Sequence, residues 1–209
     1  MSADVNNYRP IAIATALSKV LEQLLLPQLV RYLWTADSQF GFKQAHGTEM
    51  AIFALKQMED FYSNQDTPVY ICFLDAKKAS DRVNHWMLTK KLLDRNMPVH
   101  IVKLFIFWYI GQVFMVQWGN SLSMTFCCLN GIRQGDSYPH CCIMYCKQRW
   151  PKPSPPSNRC MCYVGGAWVN LLSYVDDMVL LAPTVTAHQT LMEVCCTYAG
   201  PHDTVYNIT

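Results

Sequence analysis

Two apolar runs, Trp168 to Val175 and Met178 to Leu181, stand on either side of Asp176 and Asp177 and leave this part of the chain few ways to fold. Runs of this length and composition read as the two strands of a hairpin. Charges at the tip of an apolar hairpin cost several kcal/mol beside a low-dielectric core unless something compensates them. A bound cation would do so. A second β-forming run, Val69 to Leu74, delivers Asp75 at its end and reads as a strand buried on both faces. If that strand lies beside the hairpin in one sheet, three carboxylates converge at one sheet end. Hard oxygen ligands of this kind suit Mg²⁺, which accepts one or two protein carboxylates together with substrate phosphates. Two such ions, about 4 Å apart, would activate an attacking hydroxyl and stabilise a leaving oxygen in phosphoryl transfer. An Asp-Asp pair alone also fits a solvated hairpin turn, so the reading rests on the combination.

At 209 residues, 51% hydrophobic and 15% charged, the chain is long and apolar enough for one domain plus a subdomain, which excludes disorder for most of it. The formal net charge of +2 supplies no basic field, so a nucleic-acid partner has to be argued from a site. The first residues, MSADVNNYRP, show no secretory leader, and an intracellular, non-secreted protein with reduced thiols is expected. The ten cysteines, several in adjacent pairs such as Cys127-Cys128 and Cys195-Cys196, do not read as a disulfide framework. The longest apolar stretch, Leu104 to Val116, is interrupted by Gly111 and Gln112 and is too short to span a membrane.

Periodicity predicts the remaining elements. A helix from Ala16 to Leu26 carries Leu17, Val20, Leu21, Leu24 and Leu25 on one face, with Pro27 expected to kink or restart it. After a turn-rich QFGFKQAHG segment, a second helix is N-capped by Thr48 and turns Ala51, Leu55, Met58 and Tyr62 inward. Helical patterns near Trp86 to Leu93 and over Val99 to Ile110 precede a hairpin turning at Gly119-Asn120. The segment KQRWPKPSPPSN has four prolines in twelve residues and admits neither helix nor strand. A last helix, from about Thr186 to Tyr198, is expected to face Leu191, Val194 and Tyr198 inward.

FLDAKKASDRVNH at 73–85, NGIRQG at 130–135 and NLLSYVDDMVLLAP at 170–183, in that order, resemble the reverse transcriptase domain of non-long-terminal-repeat (LINE-like) retrotransposons. NYRPIAIATALSKVLEQLL at 7–25 and QFGFKQAHGTEMAIFALKQ at 39–57 are similar to its fingers region. The resemblance implies an α/β fold: a polymerase palm, in which helices pack on one face of an antiparallel sheet, plus partial helical fingers. Residues 1–62 would be the fingers-like part and 63–209 the palm, with an aberrant segment at about 137–160 and the thumb missing. It further implies RNA-directed DNA polymerisation with Asp75 and Asp176 as metal ligands and Asp177 beside them. Two Mg²⁺ ions, or Mn²⁺ in their place, an RNA template, a DNA primer and deoxynucleoside triphosphates would be its partners. By the same resemblance Lys43 faces the triphosphate, Gln134 and Gly135 lie beneath the templating pair, and Tyr174 packs near the primer end.

Departures from the family pattern imply a polymerase activity impaired by truncation and motif loss. DSYPHCCIMYCKQRWPKPSPPSNRC replaces a supporting apolar helix, as an out-of-frame remnant near 137–160 would, and the chain ends where the family places a lysine and a primer-grip hairpin. A catalytically dead remnant and a weak nucleic-acid-binding protein are therefore the alternatives. A zinc module built on His140, Cys141, Cys142, Cys146, Cys160 and Cys162 fits no common ligand spacing. Finally, Ser80 stands where the family has an aromatic residue that blocks the ribose 2′-hydroxyl. Single-nucleotide incorporation is accordingly expected to discriminate poorly between ribo- and deoxynucleotides, and a clear deoxynucleotide preference would contradict that expectation.

Overall fold

A computed structural model describes residues 8, 11–76, 78, 80–131, 161–200 and 206–208. Gln134, Gly135, the 137–160 segment and all members of the His/Cys cluster except Cys162 lie outside the described residues. Two compact units form, Met1–Trp34 with Ser80–Cys146, and Thr35–Ala79 with Lys147–Thr209. Among the described residues no helix is long and apolar enough to cross a membrane.

In the first unit, helix α1 (Ala16–Val30) starts at Thr15, whose side chain accepts from the Ser18 amide. It neither breaks nor restarts at Pro27, which lies in the last turn of the helix, and Leu29, fully buried two residues later, anchors the end. The sequence-derived apolar face is only partly used. Leu25, Leu26 and Leu29 pack against the core, whereas Leu17, Val20 and Leu24 are exposed. Helices α3 (His85–Asp94) and α4 (Val99–Ile110) supply most of that core through Leu88, Leu92, Ile101, Val102, Phe105 and Tyr109. Asn84 caps α3, its side-chain oxygen accepting from the Trp86 and Met87 amides. Buried His85 donates through Nε2 to the Gly131 carbonyl at 2.6 Å, since a carbonyl only accepts. The expected hairpin forms as β2 (Val113–Phe114), β3 (Gln117–Trp118), β4 (Ser121–Leu122) and β5 (Phe126–Cys127), turning at Gly119 with φ 58°.

The second unit holds a four-stranded antiparallel sheet. Its strands β1 (Tyr70–Ala76), β8 (Leu171–Tyr174), β9 (Asp177–Ala182) and β10 (Tyr206–Ile208) are ordered β10-β1-β9-β8. Helix α2 (Thr48–Ser63) begins one residue earlier than the Thr48 cap implied, with Gly47 as N-cap, and turns the expected face inward. Helix α5 (Val185–Ala199) is capped by the Thr184 hydroxyl. Its inward stripe is Ala187, Leu191, Cys195 and Ala199, with Val194 and Tyr198 only half-buried at its flank. Small residues on that stripe let the helix approach the sheet closely, which the larger pair would prevent.

The two sheet faces are covered unequally. Cys72, Leu74, Met178, Leu180 and Ala182 meet α5 on one face. On the other, Ile71, Leu172, Val179 and Leu181 pack with Met58 and Tyr62 of α2 and with the hairpin of β6 (Cys162–Val164) and β7 (Ala167–Val169). Strand β1 is thus not buried on both faces as its apolar run suggested. Phe73 and Asp75 are exposed, because cover on the α2 face stops before the strand does. Antiparallel sheets tolerate one partly open face.

The six described cysteines, Cys72, Cys127, Cys128, Cys162, Cys195 and Cys196, are free thiols. Burial raises the Cys195 thiol from its ordinary 9.0 to about 12, with smaller contributions from neighbouring Cys196 and Cys72. Burial likewise raises Tyr206 to about 12.

Two predictions follow from this core. Leu180→Ala should cost about 2–5 kcal/mol in denaturant unfolding, whereas Leu17→Ala on the exposed face should stay within about 0.5 kcal/mol. Because the native protein keeps the Cys195 proton that the unfolded chain releases, stability is present below pH 9 and declines between pH 9 and about 12. Cys195→Ala should flatten that decline in unfolding curves recorded across the same pH range.

Candidate active site

The open end of the sheet gathers the acidic residues. Strands β1 and β9 pair from Tyr70 opposite Ala182 to Leu74 opposite Met178, so Asp75 and Asp177 each come one residue further along facing strands. Alternation puts both on the face of Phe73 and Val179, beyond the cover of α2. Asp176 occupies the two-residue turn between β8 and β9, where Tyr174 lies opposite Asp177. Asp75 and Asp177 are exposed and Asp176 is half-buried. The three carboxylates expected to share one sheet end do share it. Among the described residues no three His, Cys, Asp or Glu side chains close around one point. That open all-oxygen arrangement fits Mg²⁺, which keeps several waters and needs only one or two carboxylates plus phosphate oxygens. It does not fit a structural zinc cage.

Two residues that sequence reasoning passed over complete this end of the sheet. Asn207 of β10 lies opposite Asp75, and its side-chain amide donates to Asp75 Oδ2 at 3.3 Å. Gln39, 2% exposed, reaches the hairpin turn. Segment 38–40 runs beside β8, with the Phe40 amide donating to the Ser173 carbonyl at 2.8 Å and the Ser173 amide to Ser38 at 2.8 Å. From there Gln39 Oε1 accepts from the Val175 amide at 2.9 Å and the Gly41 amide at 2.8 Å, while Nε2 donates to the Val175 carbonyl at 3.2 Å. Val175 has φ 59°, a left-handed conformation that costs a β-branched residue about 1–2 kcal/mol. A buried glutamine directly before Phe-Gly was the available signal, since a polar side chain beside an aromatic–glycine turn has to find partners. Asn207, a polar residue between Tyr206 and Ile208, gave a weaker one.

The remaining expected residues are placed as follows. Lys43 is half-buried in the turn-rich segment and donates to the Ala36 carbonyl at 2.6 Å. Tyr174 ends β8, half-buried. Ser80, also half-buried, is in a turn after β1 and belongs to the first unit. Gln134 and Gly135 lie outside the described residues.

An antiparallel sheet with acidic groups at one end, set by a strand and a tight hairpin, is matched by a family model described as reverse transcriptase (RNA-dependent DNA polymerase) over residues 2–202. The chain belongs to the reverse transcriptase family. This reverse transcriptase chain is 28% identical over 155 residues to the probable RNA-directed DNA polymerase from transposon X-element of Drosophila melanogaster, a match covering 71% of the chain and 16% of that protein. It is 32% identical over 123 residues to the RNA-directed DNA polymerase from mobile element jockey of Drosophila funebris, covering 54% of the chain and 13% of that protein. The chain therefore corresponds to a small part of these relatives. Apo telomerase from Candida tropicalis, truncated from its C-terminal domain, has a similar fold, with a TM-score of 0.55 at 16% identity over 92% of this chain and 40% of that one. So has telomerase from Candida albicans in complex with the TWJ fragment of telomeric RNA, with a TM-score of 0.53 at 13% identity over 84% of this chain and 31% of that one. The likeness to both telomerases is one of fold.

Close packing at the turn yields a further prediction. A Cβ on Gly41 would fall 2.6 Å from Val175 Cγ2 and 2.7 Å from its backbone nitrogen. Gly41→Ala should therefore destabilise by about 1–3 kcal/mol in denaturant unfolding. Gly200→Ala, where a Cβ meets nothing within 4 Å, should be near neutral.

Proposed function

We propose that this chain performs RNA-directed DNA polymerisation. The observation that carries the reading is the β1–β9 register, which brings Asp75 and Asp177 to the open sheet end beside Asp176. Asp75 and Asp176 would hold Mg²⁺, with Mn²⁺ as a substitute, and Asp177 stands beside them. When bound, the metal supplies a lowered pKa for the attacking hydroxyl and neutralisation of charge on the leaving oxygen.

The protein's own contribution is positional. Asp75, fixed on a paired strand and hydrogen-bonded by Asn207, and Asp176, fixed by the turn, present oxygen ligands in a constant relation. The primer 3′-hydroxyl would attack the α-phosphorus of a deoxynucleoside triphosphate, forming a P–O bond while the bond to the β-phosphate oxygen breaks and pyrophosphate leaves. A DNA primer on an RNA template would be the polymer substrate, as the fold shared with an RNA-bound telomerase supports. Residues 1–62 would act as the fingers-like part and 63–209 as the palm. Lys43 would contribute a point charge to the triphosphate, Ser80 would leave the 2′ position open, Gln134 and Gly135 would lie beneath the templating pair, and Tyr174 would pack near the primer end.

The test is extension of a DNA primer on an RNA template with Mg²⁺, for the unsubstituted protein and Asp176→Asn, with a thermal melt of each. Extension should be present in the first and fall at least about a hundredfold in the second at unchanged melting. Equal extension by both, or none from a cooperatively melting unsubstituted protein, would contradict the reading.

A further inference from the structure

We propose that Gln39 is a positioning residue for Asp176, acting through the backbone of Val175; the inference rests on the metal-binding reading above. One side-chain amide grips both polar groups of the same residue, accepting from the Val175 N–H at 2.9 Å and donating to its C=O at 3.2 Å. The N–H belongs to the peptide plane that joins Tyr174 to Val175, and the C=O to the plane that joins Val175 to Asp176. Fixing both planes fixes φ and ψ between them. Val175 is thereby held at φ 59°, a conformation a β-branched residue leaves readily when unrestrained. The second plane carries the Asp176 Cα, so its orientation sets where the Asp176 carboxylate stands.

Gln39 is itself immobilised. It is 2% exposed, and its Oε1 takes a second hydrogen bond from the Gly41 amide at 2.8 Å. Its backbone lies alongside Ser173 in a parallel bridge, two residues before the one it grips. The absent Cβ at Gly41 leaves the space that Val175 Cγ2 fills. Segment 38–41 thus acts as a template for the turn: it supplies a rigid edge, a bidentate clamp and a cavity of matching shape. Outer partners that orient metal ligands typically change metal affinity by about 10–100-fold when removed.

Gln39→Met separates the clamp from packing, because it preserves side-chain length and volume but removes both polar atoms. Mn²⁺ alone is titrated into the unsubstituted chain, Gln39→Met and Asp176→Asn, and free ion is read from its electron paramagnetic resonance signal, with a thermal melt of each. The expected result is an affinity about 10–100-fold lower in Gln39→Met at a retained cooperative melt. Hydrogen exchange at the Val175 amide of the unsubstituted protein gives a readout that needs no variant, and it should be strongly slowed. Unchanged Mn²⁺ affinity in Gln39→Met while Asp176→Asn binds more weakly would overturn the inference and leave the metal reading standing. Exchange of the Val175 amide at the rate of an open coil would also overturn it. Mn²⁺ binding that Asp176→Asn does not reduce would overturn the metal reading, and this inference with it.

Discussion

Backbone pairing between β1 and β9 is the constraint on which the site depends. Five consecutive residue pairs, from Tyr70 opposite Ala182 to Leu74 opposite Met178, decide which side chains face α5 and which face α2. Because side chains alternate along a strand, a slip of one residue would send Leu180 and Met178 to the opposite face and separate Asp177 from Asp75. The apolar content of both faces makes such a slip costly. Leu180 and Leu181 are each fully buried on opposite sides of the same strand. Register in the core thereby becomes position at the sheet end.

That end is left uncovered on one face, and the exposure has a physical use. Three acidic side chains in a closed apolar pocket would shift towards their neutral forms or demand partners. Where α2 and the β6–β7 hairpin stop, Asp75 and Asp177 keep access to water, and Asn207 provides a hydrogen bond without adding charge. The tight turn at Val175, with φ 59°, carries strain. Neutral hydrogen bonds contribute about 0.5–1.5 kcal/mol each, so the two that Gln39 makes to Val175 offset a left-handed cost of about 1–2 kcal/mol.

Much of this was legible in the amino-acid sequence, and for identifiable reasons. Strand β1, the β8–β9 hairpin and helices α2, α4 and α5 announce themselves by periodicity, and the order of the acidic motifs already implied a palm sheet. Helix α5 was read one position off its true inward stripe because Val194 and Tyr198 outweigh Cys195 and Ala199 in apolar bulk, while packing against a sheet rewards the small pair. On α1 the leucine stripe was sound as a helix signal, yet it said nothing of which part of the helix the core would cover. Gln39 and Asn207 were out of reach for another reason. Their hydrogen bonds join residues separated by 136 and 132 positions, and no local spacing encodes a contact at that distance.

The central claim, that the open sheet end is a divalent-metal site, is tested most directly by locating the ion in solution. Manganese added in small steps to the isotopically labelled chain broadens amide signals according to their distance from the bound ion. The account predicts that Ala76, Asp176 and Asn207 broaden first, well before Leu191 of α5, and that Asp176→Asn removes this order. Uniform broadening, or broadening that begins away from the ends of β1 and β9, would contradict it.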